Sequence, residues 1–153
     1  MTTLANTQAD RAVVRLMWVG AALTVVAAAL PFLDQAATVL ADHVRAGYPA
    51  YGRGEIDAAV TAYQAILAAA GVLGLIGWVG TAWSVRAGKG WARVLASAVF
   101  VVAVCVALTG LTVKDTSGDV GLAPQLGWLQ LLPCLPGLAA VGLLWTKPRS
   151  SGR

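Results

Sequence analysis

Four uncharged, apolar runs divide the chain: Leu16–Leu33 (18 residues), Ala58–Val85 (28), Val94–Val113 (20) and Val120–Thr146 (27). A helix crossing a bilayer needs about 20 predominantly apolar residues, and each run meets or closely approaches that length. No water satisfies backbone N–H and C=O groups inside hydrocarbon, so only helices and closed barrels span it. Barrel strands would be about 10 residues long and would alternate polar with apolar side chains; these runs do neither. With 58% hydrophobic and 12% charged residues, the chain carries more apolar surface than a soluble interior of its size can hide. The expected fold class is therefore an all-α membrane protein. One domain over residues 1–153 forms a four-transmembrane-helix bundle, with spans near 14–33, 64–85, 93–113 and 124–146.

Charge sets the expected orientation. With the N-terminus inside, Arg11, Arg15, Arg86, Lys89, Arg93, Lys147, Arg149 and Arg153 lie inside, and only Arg45, Arg53 and Lys114 lie outside. Short loops rich in Lys and Arg stay cytoplasmic, which gives N-in/C-in. The excess of basic residues is thus a topology signal, and no nucleic-acid partner is expected. Trp18, Trp83, Trp91 and Trp145 fall near the inner ends of the runs, while Tyr48, Tyr51, Tyr63 and Trp128 fall toward the outer ends. Two such belts mark the two interfaces of a bilayer. Ala27, Ala28 and Ala29 offer a small-residue cleavage site of the signal-peptide type. The apolar run continues through Leu30, Phe32 and Leu33, however, as a retained span does. The expected location is the cell membrane, multi-pass, and the Ala-, Val-, Gly- and Arg-rich usage suits a bacterial inner or plasma membrane.

The first helix is expected to start near Ala12 and to kink at Pro31, which lacks a backbone donor. Beyond it, Phe32, Ala36, Val39, Leu40 and Val44 recur at helical spacing, so the helix continues as an amphipathic arm that Gly47 and Pro49 end. The second helix starts near Gly54 or Glu55 and is longer than the membrane is thick. The connector between them, residues 42–57, holds the only histidine, His43, together with Arg45, Arg53 and Glu55; Asp34 stands upstream. These residues are expected to form a small extracytoplasmic cap. The turn Arg86–Arg93 is a tight inner hairpin. Ala70, Gly74, Gly77, Thr81 and Ser84 on the second helix, and Ser97, Val101, Cys105, Thr109 and Thr112 on the third, each fall in one arc. A small-residue seam between those two helices is the expectation. In the fourth run, Pro133 and Pro136 remove two backbone donors. The carbonyls of Leu129 and Leu132 then need partners, from Thr109, Thr112 or Gln130 of the bundle or from water. Helix 4 is accordingly expected to bend there and bring Gln125 and Trp128 to the cap.

The chemistry-bearing residues exclude more than they suggest. Cys105 and Cys134 are at similar heights but lack a CxxC spacing and a basic neighbour in sequence, so they read as packing residues. One histidine does not make a metal centre, which commonly needs three protein ligands; no metal and no cofactor is expected. There is no GxSxG, HExxH or phosphate-cradling glycine loop. Ion-coupled carriers place ionisable residues within their spans, and these spans have none. The membrane glutamate of small multidrug-resistance pumps and the loop cysteines of tetraspanins are missing. Gln130, Cys134 and Gly137 share one face of helix 4, where the glutamine reads as interhelical glue. The expected function is a non-enzymatic accessory, assembly or scaffold subunit of a membrane complex, whose partners are the lipid bilayer and other membrane-protein subunits or further copies of itself. A channel or small-solute transporter subunit, oligomeric in form, is the alternative. A membrane enzyme comes last.

Overall fold

The computed structural model describes residues 2–118 and 121–146. Lys147, Arg149 and Arg153 of the expected inner face lie outside the described residues, as do Asp119 and Val120 of the second outer loop. All regular elements among the described residues are helices: α1 (Thr2–Ala29), a 3₁₀ turn (Leu30–Phe32), α2 (Asp34–Gly47), α3 (Arg53–Arg86), α4 (Ala92–Thr112), α5 (Pro124–Leu131) and α6 (Cys134–Thr146). Four helical stretches are long and apolar enough to cross a membrane: Asp10–Phe32, Arg53–Arg86, Ala92–Thr112 and Pro124–Thr146.

The helix boundaries follow local chemistry. α1 starts at Thr2 rather than near Ala12, because neither glycine nor proline precedes Gly20 to stop it. Pro31 ends α1 outright instead of kinking it. The chain tightens into the 3₁₀ turn, Leu33 becomes extended (φ −78°, ψ 141°), and α2 nucleates afresh at Asp34. At the start of α3, the Glu55 carboxylate reaches back to accept from Gly52 N–H at 2.7 Å, which satisfies one of the helix's free amino-terminal donors. Gly88 turns the hairpin between α3 and α4 with φ +64°, a conformation in which a side chain would strain the backbone.

The four spans form a ring in which each contacts its neighbours in sequence, and α1 closes the ring against α6. Along the α1–α3 seam, Gly20 faces Trp78, Thr24 faces Gly74 and Ala28 faces Gly71. One number rises as the other falls, so the pair is antiparallel. A Cβ at Gly71 would come within 2.5 Å of the Ala28 Cβ. Backbones approach this closely because both sides are small. This corrects the expected seam between α3 and α4. Gly74 receives α1, while Gly77 meets α4 at Val99. On α4, Val101, Cys105, Thr109 and Thr112 face outward.

Trp78, half-buried on α3, packs across the ring. Its indole stacks where a Cβ on Gly20 would overlap it, and it lies 3.3 Å from the position of a Cβ on Gly137, which Phe100 of α4 also crowds. Its Nε1 donates to Thr24 Oγ1 (2.9 Å), and Thr24 in turn donates to Gly20 O (2.8 Å). One side chain thus touches α1 and α6 and shares its α6 seat with α4. Two apolar clusters lie to either side. Val13, Val14, Met17, Ala82, Val85, Ala92, Ala96, Ala140 and Leu144 fill one end. Leu40, Leu67, Leu122, Ala123 and Leu126 fill the other, with Tyr63 against them.

Candidate functional site

Polar side chains converge at the second end, where α2, the start of α3 and the α4–α5 loop meet. α2 lays Leu40 and Val44 inward, and Leu40 joins the cluster beneath the loop. This inward stripe aims the end of α2 at the α4–α5 loop. Tyr48, just past α2, stacks on Tyr51 with ring centres 4.6 Å apart and shares a 2.6 Å hydrogen bond with Thr116. Gly47 approaches the same loop: a Cβ there would lie 3.1 Å from Ser117 Oγ.

Asp115 organises this loop. Its Oδ1 accepts from both the backbone N–H (2.8 Å) and the hydroxyl of Ser117. The Ser117 hydroxyl bond is the largest influence holding the Asp115 carboxyl below its ordinary range; partial burial opposes it, and the Ser117 N–H, Tyr48 and His43 reinforce it. Gly118, at φ +89°, returns the chain with its N–H on Asp115 O (3.1 Å). Tyr63 of α3 reaches in from below. Its hydroxyl oxygen lies 2.8 Å from where a Cβ on Gly121 would stand, beside the Asp115 carboxylate.

The expected cap residues are only partly gathered here. His43 is half-buried and belongs to the surroundings of Asp115. Asp34 is exposed in the first turn of α2, Arg53 is exposed at the start of α3, and Arg45 pairs with Asp42 at 2.8 Å on an open surface. Such exposed pairs contribute about 0–1 kcal/mol. Glu55 serves as the α3 cap. Tyr63, Asp115, Thr116 and Ser117 were not singled out as site residues from the sequence. The only local signal was the Asp115–Gly118 run, Asp-Thr-Ser-Gly, a composition suited to a side-chain-to-backbone turn.

The double-proline segment resolves differently from the expectation. The helix is interrupted between α5 and α6, and neither Thr109 nor Thr112 supplies a donor to it. Leu132 N–H donates to Leu129 O and Leu135 N–H to Leu132 O, each at 3.2 Å. Tightening from i+4 to i+3 bonds lets the segment satisfy its own carbonyls. Thr109 and Thr112 instead bond back to Cys105 O and Leu108 O, both at 2.7 Å, on the outer side of α4. Pro133 and Pro136 are buried, Gln130 and Cys134 half-buried, and Cys105 exposed. Both thiols are free. Gln125 and Trp128 are exposed rather than turned onto the polar end.

The arrangement binds loop to helix. Asp115 Oδ1 accepts both Ser117 bonds, from its N–H and its hydroxyl, so the carboxylate ties the loop to itself. Among the described residues no three His, Cys, Asp or Glu side chains stand close enough to hold a metal ion. No buried side-chain nitrogen or oxygen among them lacks a partner. Thr24, Thr81 and Ser84 are the polar side chains buried in the bundle, and each bonds a carbonyl four residues back on its own helix.

Fold and site together define a class, the multi-pass helical bundle with spans of membrane-crossing length. No protein-family model matches the chain, and no curated protein and no solved structure matches it.

Proposed function

We propose that the protein is a non-enzymatic accessory, assembly or scaffold subunit of a complex in the cell membrane. It sits N-in/C-in, with α2 and the polar loops as an extracytoplasmic cap. The observation that carries this reading is the sealed interior. Trp78, half-buried, packs across the ring against α1 and α6, and the polar groups buried in the bundle are consumed by bonds within it. A carrier or enzyme needs ionisable groups or a cavity there. Orientation is supported by charge: Arg11, Arg15, Arg86, Lys89 and Arg93 flank the first apolar cluster, and Arg45, Arg53 and Lys114 belong to the opposite end. Purification in a mild detergent, followed by mass spectrometry of everything that elutes with the chain, tests the proposal. It predicts a stoichiometric larger membrane protein in the same peak. Recovery as a lone chain, at physiological expression, would refute it.

A second reading is a channel or small-solute carrier assembled from several copies. It draws on the outward face of α4, where Cys105, Thr109 and Thr112 offer a mildly polar strip that copies could turn toward one another. The same purification would then yield a homo-oligomer.

A further inference from the structure

We infer that the outward flank of α1 is a binding site for one anionic phospholipid. Gln8, Arg11, Ala12 and Arg15 line an open surface recess of about 340 Å³. Arg11 and Arg15 are four residues apart on one face of the helix. Both are exposed, and neither has an ion-pair partner among the described residues. Asp10, the adjacent acid, is half-buried. Two guanidiniums side by side, with no ion-pair partner among the described residues, present forked donors that match phosphate oxygens.

A second, apolar feature continues the first along the same helix. Trp18, one turn below Arg15, is exposed, and Met17, Trp18 and Ala21 of α1 meet Trp78, Val79 and Ala82 of α3 along a closed apolar seam whose outer edge is a shallow groove. An acyl chain lies over this apolar surface, against exposed Trp18 and Val79, while its phosphate rests on the arginines. A free phosphate would use only the upper part. A zwitterionic lipid would bring its own cation against the arginines and lose that contact. A diacyl lipid with net negative charge uses both parts. The inference needs only that the bundle lie in a bilayer and is independent of the accessory-subunit reading.

The test is native mass spectrometry of the delipidated full chain in dodecylmaltoside, titrated with dioleoyl phosphatidylglycerol or with dioleoyl phosphatidylcholine. The chain should retain the anionic lipid about tenfold better, one per chain, given the attraction each arginine adds near an anionic headgroup. Arg11→Gln with Arg15→Gln should abolish that preference, and Arg45→Gln with Arg53→Gln at the other end should leave it intact. Trp18→Ala should lower retention of the anionic lipid several-fold, and millimolar inorganic phosphate should not displace it. Equal retention of the two lipids by the unaltered chain would overturn the inference. So would a preference that survives loss of both arginines, or displacement by phosphate, which marks a site for the free anion.

Discussion

At the scale of single residues, Trp78 and Asp115 hold the two regions that distant parts of the chain must share. Van der Waals contact, rather than water expulsion, drives helices together in lipid, so the residue with the most partners matters most. Trp78→Ala should cost about 3–5 kcal/mol, the range for removing a large aromatic from a packed interior. Thermal unfolding in detergent measures it, and a loss within error of zero would remove Trp78 from the centre of the account. Gly20→Leu should be as damaging, since its side chain would overlap the indole. Asp115 predicts a dependence on pH. Its folded carboxyl titrates below the ordinary 3.8 because the ionised form accepts from Ser117. The stabilisation is therefore fully present above the unfolded pKa and is lost as pH falls through the lower folded one. Melting temperatures taken from pH 7 down to about 2.5 should decline at the acid end, and Asp115→Asn should flatten that part of the curve. An unchanged acid limb in the variant would contradict the assignment.

At the scale of elements, prolines set the breaks and neighbouring groups repair them. Pro31 separates α1 from α2, and Gln64 of α3 donates to the Pro31 carbonyl at 2.7 Å. The Pro133 and Pro136 segment repairs itself through shorter i+3 bonds. Replacing both prolines with alanine should restore i+4 bonding and straighten the segment. Gly127 would then lose its seat against Leu111, where a Cβ would approach to 2.7 Å, and the melting temperature should fall even though two helix breakers have gone. A rise would show the break to be a defect rather than a fit. The positions of these breaks were legible, because proline's missing donor acts locally. Their form was not: whether a freed carbonyl takes a partner from its own chain or from a neighbour depends on what lies beside it. The α1–α3 seam was misassigned to α3 and α4 for a related reason. Gly71 and Gly74 show that α3 can be approached closely, but a helical wheel does not say by which neighbour.

At the scale of the whole molecule, the four apolar runs made the helical class and the spans readable, since length and lack of charge are sufficient for that. Inside and outside were harder to separate. Exposed Leu73, Ile76, Val102 and Leu135 are as apolar as buried Val13 and Leu144, so no hydrophobic gradient marks the interior as it does in a water-soluble bundle. The polar cluster was hidden for another reason: Tyr48 and Tyr63 come from one half of the chain and Asp115 to Ser117 from the other, and only the closed ring brings them together. The outward-facing cysteine of α4 and the half-buried one of α6 also separate at this scale, and replacing both with alanine should leave the melting temperature nearly unchanged. That variant is the background for the most direct test of the central claim, a four-span bundle whose polar end faces out. Single cysteines at Thr3, Gly52, Gly88, Ser117 and Ser151 are labelled in intact cells with a membrane-impermeant maleimide. The account predicts labelling at Gly52 and Ser117, and protection at Thr3, Gly88 and Ser151 until the membrane is permeabilised. Labelling of Gly88 with protection of Gly52 would invert the topology, and labelling of Gly52 without Ser117 would break the bundle itself.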